Sequence, residues 1–309
     1  MLSVSVVIPL YNKGPYIART IDSVLAQTVF DFEIVIVDDG STDNGPDVVA
    51  TYQDDRIRLI RKENQGVSAA RNRGIREARS DFIAFLDADD EWEADHLETL
   101  LRLRSKFPGA GAYTTAYVRV LPGGEILSSK FKAIPPAPWE GVIPDYFKAA
   151  ALGDPPVCSS AVGIPKKVFE EVGLFKVGES RGEDLEMWVR IALSRGICFS
   201  WDGGAKYWND DPGRACSKRN IQRIPMEDTI QHYFGKKEAV PYYLKLYINT
   251  QRFRLIEELV YNHRRKEAIK EFCNLSFSFS QIARYIKTAI KVTVSTKIID
   301  ILRRMKKIF

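Results

Sequence analysis

The stretch "FIAFLDADDEW", residues 82–92, joins an apolar run to three closely spaced carboxylates, Asp87, Asp89 and Asp90. Residues 82–86 have the composition of a strand that is buried on both faces of a sheet. The D-x-D spacing aims alternate carboxylates at one side, where they repel each other unless a cation or proton lies between them. We therefore predict a functional site at this strand end, with oxygen ligands that suit Mg²⁺ or Mn²⁺. Asp90 is assigned instead to capping the next helical turn.

Strand-like and helix-like segments alternate around this stretch. Strands are predicted at 4–8, 33–37 and 57–61, and helices at 15–27, 48–52, 66–80 and 95–106. This alternation predicts parallel pairing with right-handed crossovers. The fold class is therefore α/β, a Rossmann-like and mostly parallel sheet with helices on both faces.

The pattern changes after Pro108. A hairpin around Gly123-Gly124 is predicted, and then helices at 144–152, 166–173 and 183–196, with a strand at 157–165. Beyond about residue 218 strand signals vanish and the pattern is helical. We predict one domain at residues 1–217 and a helical C-terminal region at residues 218–309.

Composition restricts the classes of function. The four cysteines are scattered and there are only three histidines, which argues against a disulfide framework or a His-rich metal site. The chain opens directly on a strand pattern and has no apolar run long enough to cross a bilayer. We expect a cytoplasmic protein, at the inner face of the membrane if its tail binds lipid.

The net charge of +5 comes from the C-terminus. Residues 272–309 carry eight Lys and Arg against one acid, Asp300. From Ile282 onward, apolar residues recur at helical spacing with basic residues opposite. This pattern predicts a basic amphipathic tail at residues 282–309, which contacts an anionic membrane surface or packs on protein. Nucleic acid is not an expected partner, because the basic stretch has almost no interleaved aromatic residues.

Three further polar clusters follow predicted strands or open helices. In "IVIVDDGSTD", residues 34–43, an acid at a strand end can accept hydrogen bonds from a nucleoside, although Asp-Gly-Ser also forms ordinary turns. In "NQGVSAARNRG", residues 64–74, Arg71 is a candidate phosphate ligand, and Arg73 and Arg76 are read as a solvated helix face. In "GESRGEDLEMW", residues 178–188, the adjacent acids suit either a helix start or a general base.

Five segments in this order resemble the family 2 glycosyltransferases, whose fold is called GT-A. They are "SVVIPLYN", "IVIVDDGSTD", "NQGVSAARNRGI", "DFIAFLDADDEW" and "GEDLEMWVRI", and the resemblance covers residues 3 to about 217. It implies an inverting, metal-dependent enzyme that moves a sugar from a nucleotide-sugar donor, a UDP-sugar, to a hydroxyl of a glycan or lipid-linked acceptor. The metal would be Mn²⁺ or Mg²⁺.

The resemblance also implies roles for individual residues. The nucleotide-binding residues would be Pro9, Tyr11 and Asp39 at the nucleoside, Arg71 beside the base and phosphates, and Asp87 at the ribose. Asp89 would hold the metal against the diphosphate. Asp184 would deprotonate the acceptor hydroxyl, with Glu183 supporting it.

The chain departs from the family in one respect. Many relatives have a histidine near the diphosphate after the catalytic helix, and residues 207–217 contain none. Asn209, Asp210 and Arg214 are the candidate substitutes, and the pattern does not choose among them.

Two other functions compete with this reading. A nucleotidyltransferase also uses paired aspartates with Mg²⁺, but normally needs a Gly-rich, basic loop after the first strand. Here "PLYNKGPY" offers one Gly and one Lys. The other alternative is a non-catalytic scaffold that binds sugar nucleotides.

Overall fold

The computed structural model describes residues 2–179, 181–210, 223–235, 239–276, 278 and 281–293. The chain divides into two compact units, Met1–Ala215 and Cys216–Phe309. The division expected after residue 217 falls outside the described ranges and stays a prediction.

The first unit begins with alternating strands and helices. They are β1 (Val4–Leu10), α1 (Gly14–Leu25), β2 (Phe32–Asp38), α2 (Gly45–Ala50), β3 (Ile57–Arg61), α3 (Val67–Glu77) and β4 (Phe82–Phe85). Strand β1 pairs in parallel with both β2 and β4, and β2 pairs in parallel with β3. Strands β1, β2 and β4 are buried along their whole length, as their mostly apolar sequences predict. The α/β fold class is confirmed.

The rest of the first unit completes one mixed sheet. Its elements are β5 (Glu91–Trp92), α4 (His96–Lys106), β6 (Ala112–Val120), β7 (Ile126–Ser128), β8 (Glu140–Val142), α5 (Tyr146–Leu152), β9 (Val162–Pro165), α6 (Lys166–Val172), α7 (Glu183–Ser194) and β10 (Ile197–Trp208). Within the described residues the sheet has ten strands, in the order β3-β2-β1-β4-β9-β6-β10-β5, with β7 on β6 and β8 on β10. Because β9 lies antiparallel between β4 and β6, the parallel pattern is unbroken only from β3 to β4.

The long strand β10 is absent from the sequence predictions. Its pairing with β6 shifts register between Ser200 and Gly203 and again between Gly203 and Ala205. These bulges break the two-residue alternation by which a strand is recognised. The segment predicted as a strand at 157–165 is also shorter than expected, since a 3₁₀ turn at Ser159–Ala161 precedes β9.

Helix α3 packs against β1 at a point that admits no side chain. A Cβ atom built on Gly74 would lie 2.3 Å from Cγ1 of Val7. Ala70, one helical turn earlier, is completely buried. The small residues of "SAARNRG" therefore allow a close helix–sheet contact.

Within the described ranges the second unit is helical. Its helices are α8 (Glu227–Phe234), α9 (Tyr242–Tyr261), α10 (Arg265–Cys273) and α11 (Ile282–Thr293). The buried side chain of Asn249 in α9 bonds both the N–H and the carbonyl of Ser276, which fixes the segment before α11. None of the helices described in either unit has the length and apolar character needed to cross a bilayer.

Two basic residues of helix α11, Arg284 and Lys291, contact α9. The Arg284 guanidinium lies 4.7 Å from the Phe253 ring centre, and the Lys291 ammonium lies 2.6 Å from a Glu257 oxygen. Ile282, Ile286 and Ile290, which share the other side, are 44%, 57% and 51% exposed. The predicted amphipathic character is present, but its apolar side faces outward. Residues 294–309 of the predicted tail lie outside the described ranges.

The contact between Gly74 and Val7 predicts that Gly74→Ala lowers the free energy of unfolding by about 1–3 kcal/mol, because the added methyl group overpacks the core. Chemical denaturation measures this change. Gly109→Ala is the matched control, since a Cβ there meets no atom within 4 Å. It should change stability by less than about 0.5 kcal/mol. Equal effects of the two substitutions would contradict the proposed close contact.

Candidate active site

The three acids after β4 lie in three different environments. An Asp87 oxygen accepts a hydrogen bond from Nη2 of Arg71 at 2.8 Å. An Asp89 oxygen accepts one from the ammonium of Lys13 at 2.6 Å. Each of these two carboxylates thus has a basic partner, which offsets the repulsion that the spacing implies.

Asp90 is not the cap of the next helix, so that prediction is wrong. Its side chain is fully buried, and its two oxygens accept hydrogen bonds from the Ser160 hydroxyl at 2.5 Å and from the Trp208 N–H at 2.9 Å. Helix α4 begins at His96, and the residue before it is Asp95. Asp90 instead ties residues 87–90, called here the acid turn, to the end of β10. Because the register shifts in β10 hide it as a strand, the sequence alone does not reveal this N–H donor.

Arg71 connects the acid turn to helix α7. The residue is 3% exposed, and its Nη1 donates to Glu183 at 2.9 Å while its Nη2 donates to Asp87. Burial lowers the pKa of Arg71, but the charges of Asp87, Glu183 and Asp184 outweigh it and raise the pKa. The observed contacts of Arg71 are therefore with carboxylates, and its place beside the base and phosphates stays a prediction.

The two acids at the start of α7 differ in their surroundings. Glu183 is 8% exposed, and burial together with the charge of Asp184 raises its pKa, against the opposing effect of Arg71. Asp184 is only half-buried, and its oxygens accept hydrogen bonds from the Ser159 hydroxyl at 3.3 Å and the Leu185 N–H at 2.7 Å. Asp184 is thus the more accessible carboxylate of the pair, as a general base must be.

Asp39 organises the loop that follows β3. Its oxygens accept hydrogen bonds from the N–H groups of Gln65 at 3.0 Å and Gly66 at 2.7 Å, and from the Lys62 ammonium. A carboxylate has about four acceptor positions, so these three donors leave capacity for one more.

The other two candidate nucleoside residues, Pro9 and Tyr11, lie at the end of β1 and just after it. Pro9 pairs with Val37 inside the sheet, and Tyr11 lies just beyond the strand end with 46% of its surface exposed. Asn12 adopts a positive φ of 52° and holds the neighbouring loop through Ser41 and Thr42. An exposed aromatic ring at a strand end, beside the loop of Asp39, is available to a planar ligand.

A second group of residues lies around Asp89. The Arg19 Nη2 donates to the Asp89 carbonyl at 2.7 Å, and its Nη1 lies 3.4 Å from an oxygen of Asp210. The guanidinium also stacks on the Trp208 ring, 3.9 Å from its centre. The other Asp210 oxygen is buried and has no hydrogen-bond partner among the residues described.

These groups match the chemistry of a divalent cation site. Asp89 and Asp210 offer hard oxygen ligands. Arg19 contacts the Asp89 backbone carbonyl and the Asp210 carboxylate, and the other Asp210 oxygen is an orphaned buried acceptor. Within the described ranges, no cluster of three or more His, Cys, Asp or Glu side chains could by itself hold a metal ion. Mg²⁺ commonly uses one or two carboxylates together with substrate phosphates, and this donor set fits that pattern. Arg214, the third candidate substitute, lies outside the described residues.

Several site residues escaped the sequence reasoning. Lys13 and Arg19 flank the start of α1, and no motif separates them from ordinary surface charges. Ser159 and Ser160 join the acid turn to Asp184, and the signal that could have revealed them was a polar pair inside "VCSSAVGIP". Asn72 bonds both backbone groups of Phe175 and so anchors the segment before α7.

Comparison with known proteins settles the family. The family model described as "Glycosyl transferase family 2" matches residues 5–173, more than half of the chain. This chain belongs to glycosyltransferase family 2. An uncharacterized glycosyltransferase of Rickettsia felis is 34% identical over 196 residues, which is 63% of this family 2 chain and 31% of that relative. The chain spans about a third of the length of the curated relatives that it matches.

Solved structures support the GT-A fold of this family 2 chain. TarS of S. aureus, residues 1–349, in complex with UDP-GlcNAc, has a TM-score of 0.63 at 16% identity and covers 93% of this chain and 79% of its own. GalNAc-T7 with UDP, GalNAc and Mn²⁺ has a TM-score of 0.61 at 16% identity and covers 82% and 51% respectively. At 16% identity, the similarity to these two structures shows a shared fold and no more.

The raised pKa of Glu183 predicts a pH dependence of stability. The folded chain keeps the Glu183 proton to higher pH than the unfolded chain, in which the carboxyl ionises near 4.5. Stability is therefore lost as pH rises above that value toward the folded pKa. Glu183→Gln should make the fall in unfolding free energy between about pH 5 and about pH 8 less steep.

The matched control for this measurement is Glu171→Gln. Arg195 lowers the pKa of Glu171, so this carboxylate is ionised in both states throughout that pH range. Its replacement should leave the slope of unfolding free energy against pH unchanged. An unchanged slope in Glu183→Gln would show that burial does not hold the proton on Glu183.

Proposed function

We propose that this chain transfers a sugar from a UDP-sugar to a hydroxyl of a glycan or lipid-linked acceptor, with inversion at the anomeric carbon and with Mg²⁺ or Mn²⁺. The observation that carries the proposal is the Arg71 bridge, which ties the acid turn after β4 to the Glu183-Asp184 pair. The bridge brings a candidate diphosphate site and a candidate base into one cluster. The UDP-GlcNAc of TarS and the UDP and Mn²⁺ of GalNAc-T7, bound to the same fold, support a nucleotide-sugar donor.

The nucleoside is assigned to the ends of β1 and β2. We assign the exposed Tyr11 ring, with the buried Pro9 of β1, to the apolar side of the base. The remaining acceptor position of Asp39 suits the imide N–H of uracil. Asp87 is assigned to the ribose. Its side chain is 27% exposed and only one of its oxygens is engaged by Arg71, so the carboxylate can accept from a hydroxyl.

The metal is assigned to Asp89, with Asp210 as the candidate for the position where many relatives have a histidine. A bound Mg²⁺ or Mn²⁺ would act as a Lewis acid that offsets the negative charge developing on the departing diphosphate. Arg19 holds the backbone of Asp89 and the carboxylate of Asp210, so the two ligands keep their relative positions.

The base is assigned to Asp184. The acceptor oxygen bonds to the anomeric carbon, its proton passes to Asp184, and the electron pair of the broken bond leaves with the diphosphate. Attack opposite the leaving group inverts the anomeric centre without a covalent sugar–enzyme intermediate. Ser159 and the Leu185 N–H fix the Asp184 carboxylate, and Glu183 fixes the start of α7 through Arg71.

Two substitutions test this division of roles. Asp184→Asn should lower sugar transfer by at least about 100-fold, because a general base contributes 10²–10⁴-fold. It should leave Mn²⁺-dependent UDP binding intact. Asp89→Ala should instead weaken Mn²⁺-dependent UDP binding. A panel of UDP- and GDP-sugars with radiolabelled donors measures transfer, and calorimetry measures binding.

Full transfer by Asp184→Asn would remove Asp184 as the base. Metal-dependent UDP binding that is unchanged in Asp89→Ala would remove Asp89 as a ligand. A wild-type chain that binds UDP with Mn²⁺ but neither transfers nor hydrolyses any donor sugar would indicate a sugar-nucleotide-binding scaffold instead of an enzyme.

We further propose that the segment from residue 282 to residue 309 contacts an anionic membrane surface, where a lipid-linked acceptor would be found. The exposed isoleucines of α11 form a continuous apolar side, because residues four apart lie one above the other on a helix. Lys287 is also exposed, and residues 272–309 carry eight basic residues against one acid. Apolar surface next to excess positive charge matches the chemistry of an anionic bilayer.

Replacing one exposed isoleucine tests this contact. Ile286→Glu should reduce co-flotation of the full chain with phosphatidylserine-containing vesicles by about tenfold, since burying an isoleucine contributes about 1.5–3 kcal/mol. Phe30→Glu is the control, because Phe30 is 76% exposed in the other unit. If the wild-type chain fails to float with these vesicles, or if both variants float equally well, residues 282–309 are not a membrane contact.

A further inference from the structure

Lys13 lies directly against the carboxylate that is assigned to the metal. Its ammonium is 2.6 Å from Oδ2 of Asp89, and the two side chains are only 17% and 5% exposed. A charge-assisted hydrogen bond of this length in a largely buried place is among the stronger polar contacts in a protein. No motif in the sequence assigned Lys13 any role.

The backbone on both sides of Lys13 is fixed. Asn12 is bonded through its N–H to Ser41 and through its side chain to Thr42. The Gly14 N–H donates to Asp43 at 2.7 Å, and Gly14 opens α1. The position of the ammonium relative to this fixed backbone depends on the lysine side chain, whose four-carbon stem is flexible.

We propose that Lys13 is the resident counter-ion of Asp89, competes with a divalent cation for that carboxylate, and thereby makes metal binding depend on the nucleotide. The inference rests on the proposed function, in which Asp89 is a metal ligand. An ammonium and a divalent cation at one carboxylate repel each other, so a metal ion alone must displace Lys13. A diphosphate brings negative charge that can hold both cations, and this removes the competition.

Arg19 does not share in this competition. Its Nη2 donates to the backbone carbonyl of Asp89, and its Nη1 faces Asp210. The Asp89 side chain can therefore exchange one cation for another while Arg19 keeps the residue in place. Because coupling between two ligands is reciprocal, whatever factor UDP adds to metal affinity, the metal adds to UDP affinity.

The experiment measures Mn²⁺ affinity of the full chain, without nucleotide and with saturating UDP, by electron paramagnetic resonance of free Mn²⁺. Lys13→Met should bind Mn²⁺ alone about tenfold more tightly than the wild type, within the usual range of such couplings. The gain in Mn²⁺ affinity on adding UDP should shrink by a similar factor. Lys13→Arg, which keeps the charge, should behave like the wild type.

Lys106→Met is the matched control. It removes another lysine–carboxylate pair, Lys106 with Glu140 at 2.9 Å, which belongs to no assigned site and is more exposed than Lys13 with Asp89. Lys13→Gln is measured in parallel, so that a folding defect of one variant, detected by circular dichroism, does not decide the outcome.

The experiment distinguishes failure of the Lys13 competition from failure of the proposed metal site. If UDP strengthens Mn²⁺ binding in the wild type but neither neutral variant of Lys13 binds Mn²⁺ alone more tightly, the competition is refuted and the proposed metal site stands. If the wild type binds no Mn²⁺ even with UDP, the metal assignment of Asp89 and the competition both fall.

Discussion

The buried guanidinium of Arg71 is the constraint on which the candidate site depends. It holds Asp87 on one side and Glu183, which lies 112 positions after Arg71 in the chain, on the other. A buried charge is tolerated only when it is paired, and removing one partner from a buried ion pair costs about 3–5 kcal/mol. The end of β4 and the start of α7 are therefore held at a distance set by one planar group. Asn72, the next residue of α3, holds the backbone of Phe175 and so fixes the approach to α7.

The fold resolves the repulsion among the three acids by giving each a different partner. Asp87 has an arginine, Asp89 has a lysine, and Asp90 has a hydroxyl and a backbone N–H. These partners differ in whether another cation can replace them. A lysine on a flexible stem can leave its carboxylate when another cation arrives, whereas a buried arginine shared between two acids cannot easily do so. Asp89 therefore has a partner that another cation can replace, whereas the partner of Asp87 is held in place.

The parallel half of the sheet could be predicted from the sequence because mostly apolar runs such as β1 and β4 are recognisable as buried strands. The candidate site could be placed at their carboxyl ends for the same reason, and Asp39, Asp87 and Asp184 do lie beyond strands or at a helix start. What could not be predicted depends on contacts between distant segments. Asp90 was read as a local cap because helix capping is visible in sequence, while the Trp208 N–H that it binds belongs to a bulged strand. The contacts of Lys13 and Arg19 with Asp89 could not be predicted, because they exist only once α1 lies beside the acid turn.

Two adjacent serines extend the link from the acid turn to the candidate base. Ser160 donates to Asp90 and accepts from the Asp87 N–H, and Ser159 donates to Asp184. In a 3₁₀ turn successive side chains point about 120° apart, so neighbours in sequence reach different sides. Because Ser159 and Ser160 share one short turn, any displacement of that turn changes both contacts together. Arg71 and this turn thus provide two independent connections between the acids after β4 and the first residues of α7. One connection ends on Glu183 and the other on Asp184, so the candidate base and its neighbour are each tied to the acids after β4.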